Sequence, residues 1–149
     1  RPAGLLAQTS MRIEKRFLAY GHDLDTDTSP LHAGLGFAVA WDTDFIGRDA
    51  LVAQRDRGVT NRIATIILYD ETAVPLGNEP VYWRNEIVGK TTSAAFGHRV
   101  GKPLALADFK SPDALVEGAQ VTVDIAGTRW PGRVTLKPAF DPEGARMKS

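Results

Sequence analysis

The 149-residue sequence contains no cysteine. That absence excludes disulfide bridges, thiolate zinc ligands, cysteine nucleophiles and iron–sulfur clusters together, and it fits a reducing compartment. Neither charge is in excess, since 18 Lys and Arg balance 18 Asp and Glu. A nucleic-acid binder ordinarily carries a basic surplus, so nucleic acid is not an expected partner. Apolar runs are short, and none approaches the ~18 residues of a transmembrane helix. No signal-peptide pattern opens the chain, and no membrane partner is expected. Gly (14) and Pro (9) are too few for a low-complexity chain, while 43% hydrophobic and 24% charged residues are ordinary for a globular domain. The length suits one domain, or a small domain with part of another. The opening residue is Arg1 rather than Met, which reads as a piece of something longer or a processed product.

Two regions differ in period. Up to about residue 58 the patterns are helical around a Gly/Asp-rich loop. A first helix is predicted from Ala3 to Tyr20, because Leu6, Ile13, Phe17 and Tyr20 align at ~100° per residue. Ala7, Met11 and Leu18 form a second apolar line, with Arg12, Lys15 and Arg16 opposite and Gly21 as a left-handed stop. Gly34 to Trp41 reads as a strand buried on both faces. A second helix is predicted over Arg48–Arg57, ended by Gly58. From residue 60 the pattern alternates quickly. Strands are predicted at Arg62–Asp70, Val81–Trp83, Ile87–Thr92, Leu104–Phe109, Val121–Ile125 and Arg129–Lys137. Tight turns fall at Arg84-Asn85 and around Gly127, and Ser111-Pro112-Asp113 has the order that starts a helix. Pro131 must sit at an edge or a bulge. Such short antiparallel strands predict a small barrel or sandwich, with the β-barrel preferred.

Several local patterns imitate chemistry and fail. Asp23, Asp25 and Asp27 copy the start of an EF-hand loop. Its sixth position is Thr28 instead of Gly, however, and its twelfth is Gly34 instead of Glu. A solvated acidic loop with Asx-turns is the simpler expectation. Gly89-Lys90-Thr91 lacks the earlier P-loop glycine, since Arg84 stands there. Gly34-Leu35-Gly36 lacks the third dinucleotide-loop glycine and precedes a strand. His22, His32 and His98 have no partner at metal-ligand spacing and are expected at turns or on the surface. None of the serines sits in a nucleophile elbow.

Glu14 stands out. Its helical neighbours are Ser10, Met11, Phe17 and Leu18, which place it between the two apolar lines. A carboxylate there must find donors, because desolvating it unpaired costs several kcal/mol. One reading is a structural ion pair with Arg12, Arg16 or a distant arginine. The other is recognition of a planar heterocycle through two parallel N–H donors, as the amino and ring N–H groups of a pterin present them.

The segments Ser10–Lys15, Tyr20–Leu24, Thr28–Leu31, Ala33–Gly36 and Asp44–Leu51 resemble the glycine-cleavage T-protein (aminomethyltransferase) superfamily. Gly77–Pro80, Val88–His98, Gly101–Ala107 and Asp141–Met147 continue the likeness in order, over nearly the whole chain. Ile13-Glu14-Lys15, Gly77–Pro80 and Thr91–His98 are most similar to the C-terminal part of dimethylglycine/sarcosine dehydrogenase-type flavoenzymes. The resemblance implies an α+β fold. Residues 1–58 would be the tail of a folate-binding α/β domain, and residues 60–149 the family's small antiparallel β-barrel. It implies tetrahydrofolate as cofactor, with FAD confined to an N-terminal part outside this chain. Glu14 matches the family's folate-binding Glu, and Arg146 lies near a C-terminal basic residue that approaches folate in some members. An arginine that some T-proteins carry before the Phe-Ile-Gly segment has no counterpart in Trp41–Asp44. The family's catalytic Asp lies upstream of the match, so no catalytic residue is assigned here.

The function implied is that of the folate-side portion of a flavin-dependent N-methyl amine dehydrogenase or oxidase, capturing a one-carbon unit as methylenetetrahydrofolate. The alternatives are a portion of a stand-alone aminomethyltransferase, or a non-catalytic folate-binding or structural barrel. Expected partners are the rest of the parent polypeptide and the folate, in the cytoplasm or, in a eukaryote, the mitochondrial matrix. Nothing in residues 1–58 can fully cover the first helix's apolar lines. It is therefore expected to be mobile, swapped into a dimer, or packed on a neighbouring copy.

Overall fold

A computed structural model describes residues 4–148. Six antiparallel strands close on one another into a barrel: β1 (Arg62–Leu68), β2 (Pro80–Trp83), β3 (Glu86–Gly97), β4 (Lys102–Phe109), β5 (Gln120–Ile125) and β6 (Thr128–Thr135). Their order around the wall is β1-β4-β3-β2-β5-β6, and β6 returns to β1. Helices α1 (Leu5–Glu14), α2 (Arg48–Arg57) and α3 (Ala145–Lys148) lie outside the wall, with short 3₁₀ turns at Gly36–Ala38 and Pro112–Ala114. No helix among the described residues is long and apolar enough to cross a membrane.

Strand alternation divides the apolar residues into two cores. Ala64, Ile66 and Leu68 of β1 join Val81, Val88, Ala107, Phe109, Val121, Val123 and Val134 in one cluster that fills the barrel. The intervening Ile63 and Ile67 face the other way. With Leu104 and Leu106 of β4 they form an outer cluster that receives Ile13 of α1. A side-chain period of two thus gives one wall an inner and an outer greasy face, and α1 covers the outer one. Each fully buried Ile or Leu contributes about 1.5–3 kcal/mol to that docking.

The six strands predicted from residue 60 onward all exist, β3 extending to Gly97. At the hairpin between β2 and β3, Arg84 and Asn85 both have positive φ (52° and 68°), the turn that suits the twist of paired strands. A closed barrel has no free edge, yet Pro131 finds an equivalent. It sits opposite Thr122 and one residue before Gly132, where the β1–β6 ladder stops. The β2–β3 entry is fixed by Glu79, whose carboxylate accepts the amides of Leu76 and Gly77 at 2.6 and 3.0 Å and the Thr91 hydroxyl. Burial alone would raise its pKa, but these hydrogen bonds and that of its own amide outweigh burial, and the pKa falls below its ordinary 4.5. A depressed carboxylate stabilises the fold above pH 4.5, and the contribution disappears as pH falls through the folded pKa. Glu79→Gln is therefore expected to cost about 0.5–1 kcal/mol at pH 7. In thermal melts the gap to wild type should close below pH 4.5; a gap that is constant with pH contradicts the assignment.

Helix α1 is shorter than its apolar lines suggest. Ala3, its expected start, lies outside the described residues, and the helix ends at Glu14 instead of Tyr20. Arg16 takes the left-handed conformation (φ 56°). The amides of Arg16 and Phe17 return to the carbonyls of Ile13 and Arg12, a Schellman closure with arginine in the glycine's place. Beyond it Phe17 and Tyr20 are exposed, as are Leu5, Leu6 and Met11 within the helix. The covered face, with Ser10, Ile13 and Glu14 buried, packs on this chain's own barrel.

The strand expected at Gly34–Trp41 does not form. That segment turns through Gly36–Ala38, and Phe37 is 87% exposed. All six strands are already paired on both sides around the barrel, so no partner strand is offered to it. Helix α2 runs over the expected residues and stops at Gly58 (φ 84°).

Candidate functional site

Glu14 ends α1 with 3% of its surface exposed. Among the described residues no arginine side chain neutralises it. Its Oε1 accepts two consecutive backbone amides of the β3–β4 turn, Arg99 at 2.5 Å and Val100 at 3.0 Å. Among the described residues no donor meets Oε2. Gly97 makes the approach possible, since a Cβ there would lie 3.2 Å from Glu14 Cγ and 2.7 Å from Leu104 Cδ1. The carboxylate is therefore a clip between helix and turn that leaves one oxygen over. The two-oxygen contact expected for a planar heterocycle is reduced to what Oε2 can accept.

The C-terminal segment is locked to the same corner. The Phe140 amide donates to the Glu14 carbonyl at 3.0 Å. Lys15 Nζ donates to the Asp141 carbonyl at 2.6 Å and to Oδ2 at 3.1 Å. Asp141 Oδ1 in turn accepts the Ala145 amide at 2.9 Å, opening α3. Burial would raise the Asp141 pKa, but the bond and charge of Lys15 and the amides of Arg146 and Ala145 hold it below 3.8. Arg146 is exposed. Its guanidinium lies 5.4 Å from the centroid of Phe140, and that of Arg99 lies 6.0 Å from the same centroid. The structure thus brings Glu14 and Arg146 to one corner, joined through Phe140 and Arg99.

A groove of about 330 Å³ runs beside this corner. Ser10, one turn before Glu14 on the same helix face, lines it with Leu6 and Thr9. Phe96 and His98, which flank Gly97, line it from the barrel. The two rings are 5.2 Å apart and tilted by 60°. Ser10 donates to the Phe96 carbonyl at 2.6 Å, fixing the groove's floor.

A second polar cluster was not foreseen. The β3 ladder shifts register between Thr91 and Ser93, a bulge at Thr92. Consecutive strand residues normally point to opposite faces, but here both hydroxyls turn toward α1. Thr92 Oγ1 donates to Asp23 Oδ1 at 2.5 Å, and Arg12 Nη2 donates to Ser93 Oγ at 2.9 Å. Arg12 Nη1 and the Ala19 amide close on Asp23 Oδ2 at 2.8 and 2.9 Å. Asp23 is therefore a buried structural acid and does not belong to a solvated loop. Asp25 does make the expected Asx-turn to the Asp27 amide at 3.0 Å. Hydrogen bonds from Thr28 and that amide lower its pKa. Among the described residues no three His, Asp or Glu side chains group as metal ligands.

His32 corrects another expectation. It is buried, not superficial, because Nε2 meets Asp108 Oδ1 at 2.6 Å and Nδ1 meets Asn61 Nδ2 at 3.3 Å. His22 and His98 are exposed as expected. Nothing in Thr91-Thr92-Ser93 marks the bulge, and nothing in the spacing links residues 12, 23 and 92.

The profile of the glycine cleavage T-protein C-terminal barrel domain matches residues 61–141, and that of the GCVT N-terminal domain matches residues 1–43. Mouse mitochondrial dimethylglycine dehydrogenase is 34% identical over 148 residues, covering 97% of this chain and 17% of the mouse protein. A probable aminomethyltransferase of Pyrococcus furiosus is 33% identical over 152 residues, covering 96% of this chain and 38% of the relative. The crystal structure of the glycine cleavage system aminomethyltransferase T from Bartonella henselae superposes with a TM-score of 0.84 at 23% identity, covering 94% of this chain and 40% of that one. The chain thus spans well under half the length of these relatives. The barrel-domain profile covers more than half of the residues, and the chain belongs to the glycine cleavage T-protein family.

Proposed function

We propose that this chain is the folate-side C-terminal portion of a flavin-dependent N-methyl amine dehydrogenase or oxidase of the dimethylglycine or sarcosine type. The observation that carries the reading is Glu14. It is a buried carboxylate whose Oε1 is fixed by two amides and whose Oε2 meets no donor among the described residues, beside a groove with two aromatic rings. These residues fit a pterin. Oε2 would accept its N–H groups, Phe96 and His98 would offer flat apolar contact, and Arg146 would meet negative charge at the same corner. A bound tetrahydrofolate supplies the nucleophile that takes up the one-carbon unit. Glu14 acts by orientation, holding a ring in place without moving a proton. The likeness of Ile13–Lys15 and Thr91–His98 to the dehydrogenases supports the flavin-dependent type.

A portion of a stand-alone aminomethyltransferase is the second reading, favoured by the comparable identity to the Pyrococcus protein. An upstream dinucleotide-binding glycine motif in the gene decides for the first reading. The folate assignment has its own test, a titration with tetrahydrofolate followed by calorimetry. The 149-residue chain alone is expected to bind weakly and to turn nothing over. In the full gene product Glu14→Gln keeps an acceptor for the two amides but replaces the carboxylate. It is expected to raise the folate Kd about 10- to 100-fold. An unchanged Kd refutes the assignment.

A further inference from the structure

Two arginines meet on the far side of the α1 terminus. A Cβ built on Gly34 would lie 3.2 Å from Arg16 Nη2 and 3.3 Å from an Arg62 Nη, so both guanidiniums converge on one point. Gly34 has φ +76° and no side chain, which leaves that point to them. Arg16 donates Nη1 to the Leu136 carbonyl and Nη2 to the Ile63 carbonyl, both at 2.5 Å. These two bonds engage only part of its five-donor fork. Arg62 Nε is fully buried and has no hydrogen-bond partner among the described residues. Among the described residues neither guanidinium is ion-paired. Lys15, the next cation along, is already engaged by Asp141.

Two like charges brought together with unused donors define a place for an anion. Burial lowers the Arg16 pKa and the neighbouring Arg62 lowers it further, so the pair stands under repulsion that a negative charge would relieve. The adjoining cavity, about 510 Å³, shows what kind of anion fits. Arg16 and Gly34 are on its wall, and Phe17, Leu18, Leu35 and Phe37 supply an apolar lining. A planar two-oxygen group on an apolar body matches a forked donor pair beside a greasy wall.

We propose that Arg16 and Arg62 form a binding site for an organic carboxylate, separate from the Glu14 corner and independent of the folate reading. The carboxylate is carried either by a free small molecule or by an Asp or Glu of a longer polypeptide. The probe is sodium benzoate, titrated into the 149-residue chain against sodium acetate and sodium chloride at equal ionic strength, with thermal unfolding as the readout. Benzoate is expected to raise the wild-type Tm saturably by about 2–4 °C, acetate by less, and chloride not at all. Among the described residues Arg62 makes no side-chain hydrogen bond for Arg62→Gln to lose. The variant's Tm in chloride is expected to exceed that of the wild type, and its benzoate response to vanish. Arg62→Lys keeps the charge without the fork and should weaken benzoate binding several-fold.

The same titration on the full gene product separates the sources. A retained response identifies a free ligand. A lost response, with Arg62→Gln now lowering the Tm, identifies a carboxylate supplied by the polypeptide. Equal responses to benzoate and chloride, or a benzoate response unchanged in Arg62→Gln, overturns the proposal.

Discussion

Replacing Glu14 with alanine is expected to destabilise the chain by about 2–4 kcal/mol. The amides of Arg99 and Val100 donate to the buried Oε1, and truncation strands both. Each buried donor left without an acceptor costs about 1–3 kcal/mol, and the acceptor lost here is charged. For a domain of this size the Tm should fall by roughly 5–12 °C. Glu14→Gln retains an oxygen for both amides and is expected to stay within about 1 kcal/mol of the wild type. Circular dichroism melts measure the stability. Amide exchange at Arg99 and Val100 reports the clip itself, which should open in the alanine variant before the barrel does. Equal damage from both substitutions would mean that packing, and not acceptance of the amides, is what the side chain contributes. The two variants also protect the folate test, because only the glutamine form separates ligand loss from unfolding.

The second large effect is expected at Gly89, in β3. A Cβ there would lie 2.2 Å from the Asp108 carbonyl oxygen and 3.1 Å from Phe109 Cα. Both contacts are backbone of the adjacent β4, so no side-chain rotation relieves them. Gly89→Ala must push apart two strands in the wall of a closed barrel. A loss of about 3 kcal/mol or more is expected, with Phe109 displaced from the inner core. Gly4→Ala is the control, since nothing lies within 4 Å of its Cβ position and it should stay within about 1 kcal/mol. A Gly89→Ala variant that melts with the wild type would show that β3 and β4 do not approach this closely. The Gly-Lys-Thr segment, which superficially suggests phosphate binding, thus owes its glycine to strand packing.

Much of the barrel could be read in advance because its evidence is local. Ile63–Leu68 and Val121–Ile125 are rich in β-branched residues, and turn residues separate the strands at short intervals. Glu14 is buried as expected but not for the expected reason: Met11 and Phe17 are exposed and the helix ends at Glu14, so the β3–β4 turn and Gly97 cover it instead. Its partners were not legible, because backbone amides at residues 99 and 100 carry no sequence signature. The apolar lines continue to Tyr20, past the end of α1, because the left-handed residue that stops the helix is an arginine, which carries no stop signal. Gly34–Trp41 has the composition of a buried strand, but composition cannot say whether a partner strand is available. His32 looked superficial because Asp108, which holds it, lies 76 residues away. Arg16 and Arg62 carried no signal for the same reason, since Gly34 brings them together in space and not in spacing.

The clamp at Lys15 and Asp141 joins residues 126 positions apart, and it has a consequence for biosynthesis. A chain emerging from the ribosome cannot finish this corner until residues 140 and 141 are free. The barrel can close first, whereas the lock on Glu14's carbonyl must wait for residue 140 to arrive. Contacts between segments so distant form late and slowly. Early termination near residue 138 would therefore yield a product whose strands are intact while its first helix has lost its latch.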